Sequence, residues 1–160
     1  MKKMIVILLV LVMVFVMVGG VVGAYENDSS EIQHGGLGYW RQYMRHNDYT
    51  VPCPHDPEGI DQDEIYGYLA TPPRGNAKAI CRTHLWVAIL NLMEGHFNPQ
   101  TDDELAEFFY YRDNYYLPAF ATINSYMIDY VPWLGDYYVE NPTRQQYLKW
   151  KDGMEEWVNK

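Results

Sequence analysis

Apolar positions along this chain recur mainly at helical spacing, and the longest such run outside the N-terminus is Asn76 to Gly95, NAKAICRTHLWVAILNLMEG. Cys81, Leu85, Ala88, Ile89 and Leu92 fall on one face of that helix, and Ile80, Trp86, Val87, Leu90 and Met93 cover most of the rest. A helix apolar nearly all round belongs in the middle of a bundle. Asn76 is placed to cap its start, and Gly95 with Asn98-Pro99 to end it.

Shorter amphipathic pieces flank this run. Leu37, Trp40, Tyr43 and Met44 predict a short helix to about His46, carrying a local basic patch of Arg41, Arg45 and His46. Asn47 to Gly59, with Pro52, Pro54 and Pro57, reads as an irregular, proline-stiffened loop. Asp61 and Glu64 resemble a capping box opening a short helix through Ile65, Tyr68 and Leu69.

Downstream, Thr101 to Glu104 is a second capping box, for a helix to about Arg112 with Leu105, Phe108 and Phe109 inward. Asp113 to Tyr116 reads as a turn, and Pro118 as the first turn of a helix carrying Phe120, Ile123, Met127 and Val131 inward. Trp133 to Glu140 reads as an aromatic loop or short extended piece. Asn141-Pro142 then caps a last helix with Tyr147, Trp150, Met154 and Trp157 inward, in which Gly153 costs about 1 kcal/mol against alanine. No strand alternation of useful length is present. The expected fold is all-α: a small single-domain helical bundle around the buried central helix (76–95), with one disulfide.

The N-terminus follows different rules. Lys2 and Lys3 precede an uncharged run from Met4 to Val18, and Val22-Gly23-Ala24 supplies small residues at a cleavage site. Residues 1–24 therefore read as a secretory signal peptide, or as an uncleaved membrane anchor over 4–24. Polar residues ending in Gly35 and Gly36 make 25–36 a flexible tether, with Asn27 in a glycosylation pattern, leaving 37–160 as the α-helical domain. The domain is expected outside the cytoplasm: secreted, periplasmic or on the cell surface.

Charge narrows the partners. The net charge is −9, and removing Lys2 and Lys3 makes the remainder more acidic still. Phosphate repels such a surface, which argues against nucleic acid, and a membrane enters only through the N-terminal segment. A basic protein or an envelope glycan fits better.

Candidate chemistry is sparse. Export and an even cysteine count point to a Cys53–Cys81 disulfide fastening the proline-rich loop to the central helix. The same two residues with His55 and His84 make a tetrahedral zinc set, although Cys-x-His is a tight spacing for a zinc pair. Cys81 near a helix start also has the location of an activated thiol, but the histidines after it, His84 and His96, lie on or just past the same helix. No cofactor motif is present, so none is expected. Glu64 and Glu94 are the carboxylates from which an envelope polysaccharide hydrolase would draw its acid and base.

Fifteen tyrosines and five tryptophans exceed what the apolar stripes use. Tyr110, Tyr111, Tyr115, Tyr116, Trp133, Tyr137 and Tyr138 lie at helix ends and in loops, and they form the expected contact surface. The leading expectation is an exported, non-enzymatic domain that binds a protein or envelope component, as an inhibitor, immunity or exclusion protein or a surface structural protein would. The polysaccharide hydrolase is the alternative.

Overall fold

The structure is a computed structural model that describes residues 35–47, 51–53, 56–60, 62–70, 75–94 and 99–160, with backbone alone for 51–60, Gln62 and Glu64. The leader, the tether up to His34, Asn27, His55, Asp61, Gly95 and His96 lie outside the described residues. Six α-helices lie among the described residues: α1 (Leu37–His46), α2 (Gln62–Leu69), α3 (Ala77–Met93), α4 (Asp102–Tyr111), α5 (Leu117–Ile123) and α6 (Arg144–Val158). No helix among the described residues is long and apolar enough to cross a membrane. The expected all-α bundle is the fold.

One departure lies between α1 and α2. Val51–Cys53 (β1) and Asp56–Ile60 (β2) pair antiparallel, Val51 with Ile60 and Cys53 with Asp56. Strands this short, carrying Pro52 and Pro57, leave no alternation to read, which is why the segment looks irregular in sequence.

α3 is the axis. Asn76 caps it by accepting the Ala79 N–H at 3.0 Å, and residues Leu85 to Asn91 are buried without interruption. Its main partner is α6, which buries Trp150, Gly153, Met154, Trp157 and Val158. Two polar side chains sit in this apolar setting, and both are satisfied. Thr83 Oγ1 donates to Ala79 O and Tyr68 O, both at 3.1 Å. Asn91 accepts the Gly35 N–H at 2.6 Å and donates to Gly35 O at 2.8 Å and Val87 O at 2.9 Å. Gly35 is thereby docked into the core, and a Cβ on it would overlap the Tyr39 and Trp40 rings. Gly35, within the stretch read as tether, is thus part of the folded domain.

Among the described residues the arginines of the α1 basic patch pair with no acid. Arg41 Nε donates to Leu69 O at 2.6 Å, satisfying a carbonyl at the C-terminus of α2 where a cation is favoured. Arg45 donates to the Tyr66 hydroxyl at 2.8 and 3.1 Å and lies over its ring.

From Asp102 to Ile123 the backbone is one continuous helical path. The Thr101–Glu104 capping box forms as expected. The expected turn at Asp113–Tyr116 is instead a π-helical segment, Arg112–Tyr116, in which the Leu117 N–H reaches Arg112 O. This widening immediately precedes Pro118, which has no N–H to give, so the chain passes the proline while staying helical. Phe108 is buried as expected and Phe109 half-buried, but Leu105, expected inward, is at the surface, and Tyr111 is buried in addition. Beyond α5, two 3₁₀ segments (Ser125–Asp129 and Pro132–Tyr137) replace the expected helix continuation and the aromatic loop. Asn141 takes a left-handed φ of 51°, and Thr143, not Asn141, caps α6 through the Gln146 N–H at 3.2 Å.

The expected Cys53–Cys81 disulfide is not formed. Cys81 is a free, fully buried thiol, and no cysteine pair lies at bonding distance. Its side chain belongs to the apolar core of α3, whereas the strand carrying Cys53 packs chiefly on its own hairpin partner.

Candidate binding surface

The seven aromatic residues chosen from the sequence separate by burial. Tyr111 and Tyr116 are core residues, 4% and 1% exposed. Tyr116 packs edge-on against Trp157 at 5.5 Å, with its hydroxyl buried and no protein partner among the described residues. Burial pushes that phenol well above its ordinary pKa. Tyr110 (54%), Trp133 (38%) and Tyr138 (41%) face solvent, while Tyr115 and Tyr137 are half-buried. Tyr39, Tyr126 and Tyr130 are further exposed rings that apolar periodicity did not single out.

Tyr110, Tyr115, Trp133 and Tyr137 gather around the π-helical turn. On one side Tyr110, Tyr111 and Tyr115 form a triangle, with ring centroids 5.5, 6.0 and 5.6 Å apart. The Tyr110 and Tyr115 hydroxyls are 3.5 Å apart. Bonding to Tyr110, then burial, pushes the Tyr115 phenol up to about 12, so it remains a protonated donor at neutral pH. On the other side Arg112 clasps Asp113 through two bonds of 2.6 and 3.0 Å and covers the Phe109 ring at 4.5 Å. The Tyr137 hydroxyl donates to Asp113 Oδ1 at 3.4 Å, and Trp133 meets Tyr137 edge-on at 6.2 Å.

Gly153 explains how Tyr115 is held. A Cβ at this point of α6 would overlap the Tyr115 ring, so the glycine lets the ring lie directly on the helix backbone. Beside this contact runs a groove of about 350 Å³. Tyr115, Leu148 and Gly153 give it an apolar floor, and Gln145, Lys149, Asp152 and Glu156 border it with polar groups. Glu156 also accepts the Tyr111 hydroxyl at 2.8 Å, joining the groove to the tyrosine triangle. Only the mid-helix glycine, an unexplained cost in the sequence, hinted at this groove. Its polar residues read as ordinary solvated positions of an amphipathic helix.

The other candidate chemistries are not assembled among the described residues. Burial pushes the Cys81 thiol up to about 12, opposite to an activated nucleophile. Burial lowers the His84 pKa and outweighs the nearby Glu155, so its ring is neutral at physiological pH. Of the zinc set Cys53, His55, Cys81 and His84, the Cys53 side chain and His55 are outside the described residues. Among those described, no three His, Cys, Asp or Glu residues converge to hold a metal. Glu94 is exposed at the C-terminal cap of α3, and Glu64 lies on α2 with its side chain outside the described set.

No protein-family model matches the chain, and no curated protein or solved structure matches it.

Proposed function

We propose that this chain is an exported, non-enzymatic helical domain that binds a protein or envelope component outside the cytoplasm through the aromatic surface around the π-helical turn. The observation that carries this reading is the set of solvent-facing rings, Tyr110, Trp133 and Tyr138, held beside half-buried Tyr115 and Tyr137 on a well-packed helical frame. Tyrosine and tryptophan bring large contact area with few rotatable bonds, which makes them effective at interfaces. The lysine-led apolar N-terminus supports export, and the acidic chain favours a basic partner over nucleic acid.

The test is affinity capture from envelope extract with the tagged full chain expressed in its host, alongside Tyr110→Ala, Tyr115→Ala and Trp133→Ala. A specific partner should be retained by the parent chain and lost from at least two of the variants. Retention of every captured partner by all three would overturn the assignment of this surface.

A further inference from the structure

We propose that Tyr110 and Tyr115 are a covalent modification site, at which a peroxide acting through a haem peroxidase joins the two rings by an intramolecular dityrosine bond. The site rests on the geometry of these two phenols, whatever partner the aromatic surface binds. The backbone creates the pair. The Leu117 N–H reaching Arg112 O is an i→i+5 bond, and this wide register brings side chains five positions apart onto one side of the turn. Tyr110 and Tyr115 have that separation. Their hydroxyls are 3.5 Å apart, and their ring centroids are 6.0 Å apart with the planes at 74°. The carbons at which phenols couple flank the hydroxyl, so a hydroxyl-to-hydroxyl contact sets the reactive edges of both rings side by side. Tyr111 lies as close by ring centroid, but it is only 4% exposed and its hydroxyl donates to Glu156. Its reactive edge is thereby turned to α6.

Access and mobility divide between the two partners. Tyr110 is 54% exposed, so an oxidant reaches it from solvent. Tyr115 is half-buried and seated over Gly153. One ring is fixed, and the other has room to close the remaining gap. Contact with Tyr110 also holds the Tyr115 phenol protonated at neutral pH, so no phenolate charge on it drives its neighbour away. In the reaction each phenol gives up one electron and one proton, and the peroxide takes both pairs to become two waters. The radicals join ortho carbon to ortho carbon in one C–C bond. The two ortho hydrogens then move to oxygen and restore both hydroxyls. The product has lost two hydrogen atoms and carries a link across the π-helical turn.

The experiment treats the dilute full chain, purified from its host, with hydrogen peroxide and a haem peroxidase, then digests it with trypsin under denaturing conditions. Arg112 lies between the two tyrosines, so cleavage places Tyr110 on fragment 83–112 and Tyr115 on fragment 113–144. Mass spectrometry should find these fragments joined, two hydrogens lighter than their sum, with Tyr110 and Tyr115 at the link and dityrosine fluorescence in the same fraction. Tyr110→Phe and Tyr115→Phe should each lose the joined fragment. Tyr130→Phe, which removes an exposed phenol from the Tyr115 fragment, should keep it. Far-ultraviolet circular dichroism checks that each variant is folded. A joined fragment that survives Tyr110→Phe, or its absence from the oxidised parent chain, would overturn the proposal. So would a link formed instead at the stacked pair Tyr39 and Tyr43, or only between separate copies of the chain.

Discussion

Tyr115 and Tyr116 are neighbours in sequence, yet they belong to two regions that use aromatic rings in different ways. Tyr116 joins Trp157, Trp150 and Phe120 in the core between α3, α5 and α6, where these rings are at most 3% exposed. Tyr115 lies on the outside of α6, stacked over Gly153 and touching Tyr110 and Tyr111. In the core, rings fill volume, and their removal leaves a cavity. At the rim, their edges and hydroxyls remain accessible, so stability and recognition should respond to different substitutions.

The sharpest test of this contrast is Trp150→Ala. A buried tryptophan on the α3–α6 interface should cost about 3–5 kcal/mol, read as a lowered urea midpoint with an unchanged slope. A loss under about 1 kcal/mol would remove the α3–α6 interface from its role as the core.

Asn91→Ala comes next. It leaves the buried Gly35 N–H and C=O without their side-chain partner, at a cost of about 1–3 kcal/mol. Amide hydrogen exchange should rise first at Gly35 and through α1. Uniform protection across α1 would show that the N-terminal docking does not depend on this amide.

Gly153→Ala sets two effects against each other. Helix propensity alone favours the alanine by about 1 kcal/mol, but its methyl group overlaps Tyr115. The expected outcome is a net loss of about 1–2 kcal/mol, because overpacking against the near side of a ring forces it out of place. Tyr115→Ala combined with Gly153→Ala should recover stability relative to Gly153→Ala alone. A stabilised single variant would mean that Tyr115 swings away freely and that the ring is not seated on α6.

Tyr110→Ala should give the smallest change in stability, within about 0.5 kcal/mol, because its ring is more than half exposed. Its effect should appear in partner retention. A loss comparable to that of Trp150→Ala would erase the distinction between rim and core.

Periodicity located most of the described helices to within a few residues, since they bury stripes spaced near 3.6 residues, but it carried α5 on to Val131, whereas the helix ends at Ile123. Asn76, Thr101 and Glu104 act at helix starts as their residue types predict. The π-helical segment escaped this reading because polar Arg112, Asp113 and Asn114 ahead of a proline have the composition of a turn. Continuity across them depends on Tyr116 and Leu117 being held in the core on the far side. The disulfide expectation failed for a related reason: cysteine count and export concern compartment, whereas pairing requires two backbones to meet.

The sequence by itself determined the helical class, the buried central helix and the surplus of aromatic residues, because these follow from spacing and composition. Tertiary structure decided which rings the core consumes. Tyr111 and Tyr116 are indistinguishable in pattern from Tyr110 and Tyr115, and the π-helical turn sets which of them faces α3 and α6. It also gave Gly153 its purpose. A glycine that only weakens an isolated helix becomes, once Tyr115 rests on it, the floor of a groove built from segments about forty residues apart.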